Sequence, residues 1–132
     1  MNSLFILSGQ SENTPVPPTV HLLDLSNNTW SKPETKGEGP QALSYPAGWY
    51  DPPYVFIHGG RTKDKSINET LLLDLETFCW RKIFTMEQPS SRYGHSAVRN
   101  EDKQAYIFGG CNIGKKDERY LCDLHKLEYS KK

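Results

Sequence analysis

Short apolar runs alternate along this chain with stretches rich in glycine, proline, asparagine and aspartate. The runs are rich in Leu, Ile, Val, Phe and Tyr and are bounded by turn-forming residues, which is typical of β-strands and not of helices. Most of them are apolar on both faces of an extended chain, a pattern that indicates strands covered on both sides. The sequence therefore predicts an all-β fold with strands at 3–8, 19–25, 28–33, 43–49, 54–58, 70–75, 79–84, 93–99, 104–108 and 123–129.

The predicted strands form an internal repeat. Residues 4–9, 54–59 and 104–109 align at a spacing of 50 residues, and each segment is an apolar strand that ends in glycine. A second motif, Leu-Leu-Asp-Leu followed by Trp, recurs at the same spacing in 22–30 and 72–80. The third copy matches at a spacing of 54 because the loop after Gly110 is longer, which loop-closure entropy tolerates. One continuous array of three repeats is expected, at 1–40, 41–90 and 91–132.

The repeat resembles the kelch family. The residues that carry the resemblance are a glycine or glycine doublet after one strand, an aspartate after the next, a tryptophan beyond it, and a Gly-His pair at the start of a repeat. They are Gly9, Gly59, Gly60, Gly109, Gly110, Asp24, Asp74, Trp30, Trp80, Gly94 and His95. Three departures are visible, since Gln10 replaces a glycine of the doublet, residues 40–45 lack the Arg and Gly-His elements, and the third copy has no tryptophan.

The resemblance implies a β-propeller whose blades are four antiparallel strands, with the first strand of each blade nearest the axis. Propellers close with about four to eight blades, whereas this chain holds about 2.6 repeats of the family length. The first repeat lacks its innermost strand and the third lacks its outermost strand. We therefore expect an incomplete, open propeller that is completed by further blades of a longer chain or by self-association, and we favour the former.

Composition narrows the classes of partner. The chain has 16 Lys and Arg against 16 Asp and Glu, so no field of one sign favours nucleic acid. No apolar run approaches the length of a membrane span. The three cysteines do not form a small disulfide framework, which favours a reducing compartment and a cytoplasmic location.

No catalytic residue, metal ligand set or cofactor site is predicted. His58 and His95 are interpreted as interior residues of the blades. Cys122 and His125 are three apart and would point to opposite faces of a strand. Neither a nucleophile elbow nor a phosphate-binding loop is present. The resemblance also raises galactose oxidase, the copper enzyme among kelch proteins, but nothing here supplies the Tyr and Cys that would cross-link.

The remaining motif residues are assigned structural roles. Asp24 and Asp74 hold the same place in successive repeats and are expected to accept hydrogen bonds in turns. Trp30 and Trp80 are expected to pack between blades. Trp49 lies outside the repeated position, and the sequence leaves open whether it is core or exposed rim.

Function is expected on the loops, because binding residues commonly lie on loops held by a rigid scaffold. In a kelch propeller the loops between the second and third strands, here 10–18, 61–67 and 111–120, emerge on the same face as the links between blades, here 36–42 and 86–91. The predicted partner-binding residues are Arg61, Lys63, Asp64, Arg92, Asn112 and Lys115. These features predict a non-enzymatic scaffold or substrate-recognition module for a protein or peptide. The alternatives are a kelch-type enzyme, either galactose-oxidase-like or a small-molecule specifier or isomerase, and a purely structural fragment of a larger propeller.

Overall fold

A computed structural model of the protein describes residues 2–113 and 118–129, and within them every regular element is a β-strand. No helix in this part of the chain is long and apolar enough to cross a membrane. The strands in chain order are β1 (Ser3–Ile6), β2 (Gln10–Ser11), β3 (Thr14–Pro15), β4 (His21–Asp24), β5 (Thr29–Ser31), β6 (Lys36–Gly37), β7 (Ala47–Asp51), β8 (Tyr54–His58), β9 (Thr70–Asp74), β10 (Cys79–Ile83), β11 (Ser96–Arg99), β12 (Ala105–Phe108), β13 (Cys111–Ile113), β14 (Glu118–Tyr120) and β15 (Leu124–Leu127).

Three main sheets follow one another along the chain. The first sheet has the order β1-β4-β5, the central sheet β6-β10-β9-β8-β7, and the third sheet β11-β12-β15. Neighbouring strands pair antiparallel, except that β6 runs parallel to β10 at the outer edge of the central sheet. Two small hairpins, β2-β3 and β13-β14, lie in the loops of the first and third sheets. The all-β fold of an open, partial propeller is therefore confirmed.

The innermost strands begin later than the sequence predicts. β7 starts at Ala47 and β11 at Ser96, whereas strands were expected from 43 and 93. Tyr45 and Gly94 have φ of 54° and 65°, in the left-handed region, which interrupts an extended strand just before each of these starts. The parallel strand β6 and the two small hairpins are not predicted by the apolar pattern, because their residues are mostly polar.

The middle strands of the central sheet, β8 and β9, are buried on both faces. The residues of the central sheet contribute to two cores, one against the first sheet and one against the third. Leu72 and Leu73 are adjacent on β9 and both are 0% exposed, but they point into different cores. The first core contains Val20, Leu22, Ile57, Leu71, Leu73 and Trp80, and the second contains Trp49, Phe56, Leu72, Ala105, Ile107 and Leu127.

The three tryptophans have different environments. Trp80 is 3% exposed in the first core, and Trp49 is buried in the second core, where its ring stacks on Phe56 with the centroids 5.1 Å apart. Trp49 is therefore a core residue. Trp30 is 56% exposed, so the prediction that it packs between blades is wrong for this chain. The reason is that no other described strand covers its face of the first sheet.

The repeated aspartates occupy equivalent hairpin turns. Asp24 Oδ1 accepts a hydrogen bond from the Ser26 backbone N–H at 2.8 Å, and Asp74 Oδ1 accepts one from the Glu76 N–H at 2.8 Å. The side-chain and backbone hydrogen bonds from Ser26 lower the pKa of Asp24. Each carboxylate thus fixes a hairpin turn, between β4 and β5 in the first sheet and between β9 and β10 in the central sheet.

Candidate functional site

One end of the sheets carries the loops that enter the innermost strands and those that join second to third strands. We call the segments 41–46, 59–69, 90–95 and 109–113 the loop face. Backbone bridges tie these segments together: Ser44 pairs with Arg61, Arg61 with Ser66, and Tyr93 with Cys111. The Arg61 N–H donates to Ser44 O at 2.9 Å and the Ser44 N–H donates to Arg61 O at 2.8 Å. The loop face is therefore a connected surface, with each loop held by its neighbour.

Glycines let the backbones of neighbouring sheets approach at this face. The Gly60 N–H donates to Arg92 O at 2.8 Å, which joins the central sheet to the link that enters the third. Gly59 has φ of +67°, and a Cβ at this position would lie 2.6 Å from Arg92 O. Any side chain would separate the two segments, so the doublet is required by the contact between blades.

Arg61 lies at the centre of the loop face. Its guanidinium carbon is 5.2 Å from the ring centroid of Tyr93, and the Tyr93 ring is 6.2 Å from that of Tyr45. Tyr45 is 53% exposed, whereas Arg61 is half-buried. A guanidinium stacked on a ring is held in one orientation, with its N–H donors at the edge of the plane where a carboxylate binds. We call these three residues the Tyr45–Arg61–Tyr93 cluster.

Lys63 and Asp64 are exposed at the tip of the loop that begins at Arg61. The tip is a local turn in which Thr62 Oγ1 accepts hydrogen bonds from the N–H groups of Asp64, at 3.3 Å, and Lys65, at 3.2 Å. The structure therefore places Arg61, Lys63 and Asp64 on one ordered loop, as their sequence proximity suggests.

Asn112 is tied to that loop. Its Oδ1 accepts a hydrogen bond from Ser66 Oγ at 2.9 Å, and Ser66 Oγ accepts one from the Ile113 N–H at 3.1 Å. Asn112 thus connects the loops of the central and third sheets. Lys115, the last of the predicted binding residues, lies outside the described residues.

Arg92 does not belong to the exposed part of the loop face, and its prediction as a partner contact is wrong. The side chain is 0% exposed and forms a two-pronged ion pair with Asp123, with both N–O distances 2.8 Å. It also donates to Gly109 O at 3.1 Å and to Ser90 O at 3.1 Å. Arg92 therefore anchors the link to the third sheet, and the signal for this role was its place just before Tyr-Gly-His in the repeat motif.

The contact with Arg92 lowers the pKa of the Asp123 carboxyl group. Hydrogen bonds from Arg92, followed by one from His125, hold the pKa of Asp123 well below its usual range. The carboxylate therefore stays charged at neutral pH, and the pair with the buried guanidinium is maintained.

His58 and His95 lie beneath the loop face, with ring centroids 5.4 Å apart in an edge-to-face arrangement. His58 Nδ1 is 2.8 Å from Thr70 Oγ1. Burial lowers the pKa of His58 to about 3 and that of His95 to about 4, and the positive charge of Arg92 contributes to both shifts. Both rings are therefore neutral at physiological pH. Within the described residues no group of three or more His, Cys, Asp or Glu is placed to hold a metal ion.

Comparison with known proteins agrees with this architecture. The family model described as the KLHDC2/KLHL20/DRC7 Kelch-repeats domain matches residues 1–132. Mouse (Mus musculus) kelch domain-containing protein 1 is 34% identical over 98 residues, which are 70% of this chain and 24% of that protein. Bovine (Bos taurus) kelch domain-containing protein 2 is 30% identical over 97 residues, which are 73% of this chain and 24% of that protein.

A third relative is longer still. Host cell factor of Drosophila melanogaster is 31% identical over 130 residues, which are 83% of this chain and 9% of that protein. The chain thus spans about a quarter of the length of the kelch domain-containing relatives it matches, and less of the others. With a family model that covers its whole length and a repeat geometry that explains its motif residues, the chain belongs to the kelch-repeat family.

Proposed function

We propose that the chain is a protein-interaction module that binds a protein or peptide partner through the loop face. The observation that carries the proposal is the Tyr45–Arg61–Tyr93 cluster, in which a guanidinium is 5.2 Å from one tyrosine ring and a second tyrosine is 53% exposed beside it. Tyrosine and arginine are the residue types most enriched where interfaces gain their binding energy. Backbone hydrogen bonds hold the loops that carry the cluster, and Arg61 is already stacked on Tyr93. Little side-chain conformational entropy is therefore lost on binding.

The partner is proposed to carry a carboxylate next to an aromatic or apolar side chain. Arg61 would bind the carboxylate through its planar edge, and Tyr45 would cover the apolar group. Lys63 and Asp64, exposed on the same loop, would select partners by the sign of neighbouring charges. Because charges across the whole chain balance, we propose neither nucleic acid nor an anionic membrane as a partner.

We also propose that the role is not enzymatic and that the protein acts in the cytoplasm. The side chains with the largest pKa shifts, His58, His95 and Asp123, are engaged in contacts that hold blades and links together. Their perturbation therefore has a structural explanation, which removes them as candidates for acid–base chemistry. The three cysteines are unpaired thiols, which fits a reducing compartment.

Affinity capture tests the loop face. The chain is immobilised, and proteins retained by the wild type are compared with those retained by Arg61→Ala. Arg81→Ala is a matched control, because Arg81 also lies over a tyrosine, Tyr54, at 5.9 Å, but on the outer strand β10. We expect Arg61→Ala to lose captured partners and Arg81→Ala to retain them. Identical captured sets for the wild type and Arg61→Ala would refute this use of the face.

A second candidate function is favoured by the faces of the first and third sheets that point away from the central sheet. On the first sheet, Leu4 is 48% exposed and Trp30 is 56% exposed; on the third sheet, Phe108 is 53% exposed and Leu124 is 65% exposed. Apolar side chains grouped on sheet faces mark surfaces that pack against something else. The chain would then serve as a structural part of a larger propeller. Size-exclusion chromatography with light scattering tests this role, since a well-folded 15.1 kDa monomer would contradict it and defined multimers would support it.

A further inference from the structure

Tyr45 has a backbone conformation that large side chains disfavour. Its φ is 54°, in the left-handed region, where the Cβ of an L-residue is crowded against the following carbonyl oxygen. Glycine enters this region at no steric cost, whereas a bulky residue there is an outlier. The chain therefore keeps an aromatic side chain at a position whose backbone favours glycine.

The equivalent position of the next repeat is a glycine. Gly94 lies two residues before β11, just as Tyr45 lies two residues before β7, and its φ is 65°. The Gly94 N–H donates to Tyr45 O at 2.9 Å, so the two turns are in contact. The residue before each of them pairs with the loop that follows the second strand of its own sheet. The same turn is thus built once with a side chain and once without.

Packing of the sheets does not account for the Tyr45 ring. The side chain is 53% exposed and belongs to neither core. A Cβ on Gly94 would have no described atom within 4 Å apart from its chain neighbours, so this position of the turn points away from the sheets. The Tyr45 ring lies instead 6.2 Å from the ring of Tyr93, over which the Arg61 guanidinium is placed. Backbone strain of this kind is typical of functional positions.

We propose that Tyr45 is the specificity-determining residue of the loop face and that its ring selects an aliphatic or aromatic side chain close to the acidic residue bound by Arg61. This role rests on the proposed function of the loop face and divides recognition between two residues. Arg61 recognises charge through its planar fork of donors. Tyr45 recognises apolar surface through its ring, which loses little conformational freedom on binding.

The arrangement of the rings indicates where the selected side chain lies. The centroids of Tyr45 and Tyr93 are 6.2 Å apart and the ring planes are inclined by 41°. A third ring between them would need about 3.5 Å on each side, which this gap does not provide. The ligand side chain therefore packs on the exposed part of Tyr45. Since side chains i and i+2 of an extended peptide lie about 7 Å apart on one side, we expect its acidic and apolar residues within two positions of each other.

A library of random peptides tests this division of recognition. The peptides are displayed within a flexible loop of a carrier protein, so that they offer side-chain carboxylates and no free C-terminus, and they are selected on the immobilised full chain. We expect the wild type to enrich Asp or Glu within two positions of Leu, Ile, Phe, Tyr or Trp. Tyr45→Gly should keep the acidic preference and lose the apolar one, whereas Arg61→Ala should lose the acidic preference.

One selected peptide, acetylated and amidated at its ends, gives the size of the effect by fluorescence polarisation. We expect Tyr45→Gly and Tyr45→Ala each to raise the Kd about tenfold. Tyr50→Ala is the matched control, since Tyr50 is 47% exposed on β7 outside the loop face, and it should leave the Kd unchanged. Alanine in place of the apolar residue of the peptide should weaken binding to the wild type by the same factor and have little further effect on Tyr45→Gly.

The two variants of Tyr45 also separate the ring from the backbone. Both remove the ring, but only glycine relieves the left-handed conformation. Urea denaturation should therefore give a higher midpoint for Tyr45→Gly than for Tyr45→Ala, although both lose affinity for the peptide. A lower midpoint for Tyr45→Gly would show that Tyr45 does not strain the turn, and it would remove the basis of the proposal.

The other contrary results fall on different claims. Unchanged selection by Tyr45→Gly, with the acidic preference lost in Arg61→Ala, would overturn the role of Tyr45 and leave the proposed use of the loop face standing. Loss of both preferences in a Tyr45→Gly variant that is folded by circular dichroism would assign the ring to the positioning of Arg61, which also overturns the selectivity. A wild type that enriches no acidic residue would refute the partner chemistry of the proposed function and this inference with it.

Discussion

The two interfaces that flank the central sheet are built from similar apolar residues but differ near their inner edges. The second interface includes an innermost strand on both sides, and it adds the ion pair between Arg99 and Asp51, with an N–O distance of 3.1 Å. Tyr129 packs there as well, with its ring 4.5 Å from that of Phe56. In the first interface β1 is the edge strand among the described residues, and a cavity of about 410 Å³ lies beside it. The comparison shows that the innermost strand closes a blade interface, while most of the buried core residues lie on the other strands.

The largest expected effect concerns the repeated tryptophans, because Trp80 lies within the first interface and Trp30 lies outside both. Trp80→Ala should lower the free energy of unfolding by about 3–5 kcal/mol. Trp30→Ala should lower it by less than about 1 kcal/mol, since an exposed side chain loses little on truncation. Urea denaturation followed by circular dichroism measures both. Equal losses for the two variants would show that Trp30 is covered in solution.

The next prediction compares the two cores through neighbouring residues of one strand, β9. Leu72→Ala and Leu73→Ala truncate neighbouring residues that are both 0% exposed but belong to different cores. We expect losses of about 4 kcal/mol for Leu72→Ala and about 2–3 kcal/mol for Leu73→Ala, because side chains of the first interface can relax into the cavity beside β1. Denaturant titration of both variants decides. A larger loss for Leu73→Ala would contradict the looser packing of the first interface.

Acid should weaken the second interface selectively. The pKa values of His58 and His95 are lowered to about 3 and about 4 in the fold, so between pH 6.5 and about 4 the unfolded chain binds protons that the folded chain does not. Stability should therefore fall as the pH drops through this window, by about 2 kcal/mol per histidine between pH 7 and pH 5.

Hydrogen exchange with mass spectrometry locates this loss. At pH 5, β12 should lose protection before β1, once the rates are corrected for the pH dependence of intrinsic exchange. His95→Gln should remove about half of the pH dependence, and His21→Gln, a change of an exposed histidine in the first sheet, serves as the control. An unchanged pH dependence in His95→Gln would show that this buried pair is not its source.

The smallest effect tests the ion pair of the second interface. Arg99→Met leaves the Asp51 carboxylate, which is 1% exposed, without that cation and should cost about 1–2 kcal/mol. Lys82→Met breaks the half-exposed pair with Glu69 and should cost less than about 0.5 kcal/mol. Thermal unfolding at low and high salt measures both. A dependence on salt as strong in Arg99→Met as in the wild type would argue against a contribution from the pair.

The strands of the sheets could be predicted from the sequence because their information is local. Apolar runs and turn residues at one period are sufficient to place β8 or β9 at nearly the observed bounds. The environment of a repeated residue could not be predicted in this way. Trp30 and Trp80 follow the same Leu-Leu-Asp-Leu motif at the same spacing, yet one is exposed and the other buried, because burial depends on which sheet lies alongside.

The candidate site shows the same limit. Arg61 lies in the loop between β8 and β9, where the strand pattern puts it, but its stacking on Tyr93 joins residues that are far apart in the chain. Arg92 was predicted to contact a partner because it follows the 86–91 link on the predicted loop face, and binding residues commonly lie on such loops. Its partner Asp123 stands 31 positions later, and no local pattern signals that pair.

The burial of β9 on both faces has a consequence for how the chain finds its native pairing. In a sheet with one wet face, a slip of one residue would expose the apolar side chains and is strongly disfavoured. A slip of β9 would only exchange Leu72 and Leu73 between two equally apolar environments, so burial alone discriminates weakly against it. The correct alignment must be selected at the ends of the strand. There the Phe78 N–H donates to Asp74 O at 2.7 Å, and the Gly59 N–H donates to Glu69 O at 3.0 Å. The turns at the two ends of β9 therefore set the register in which this strand pairs during folding.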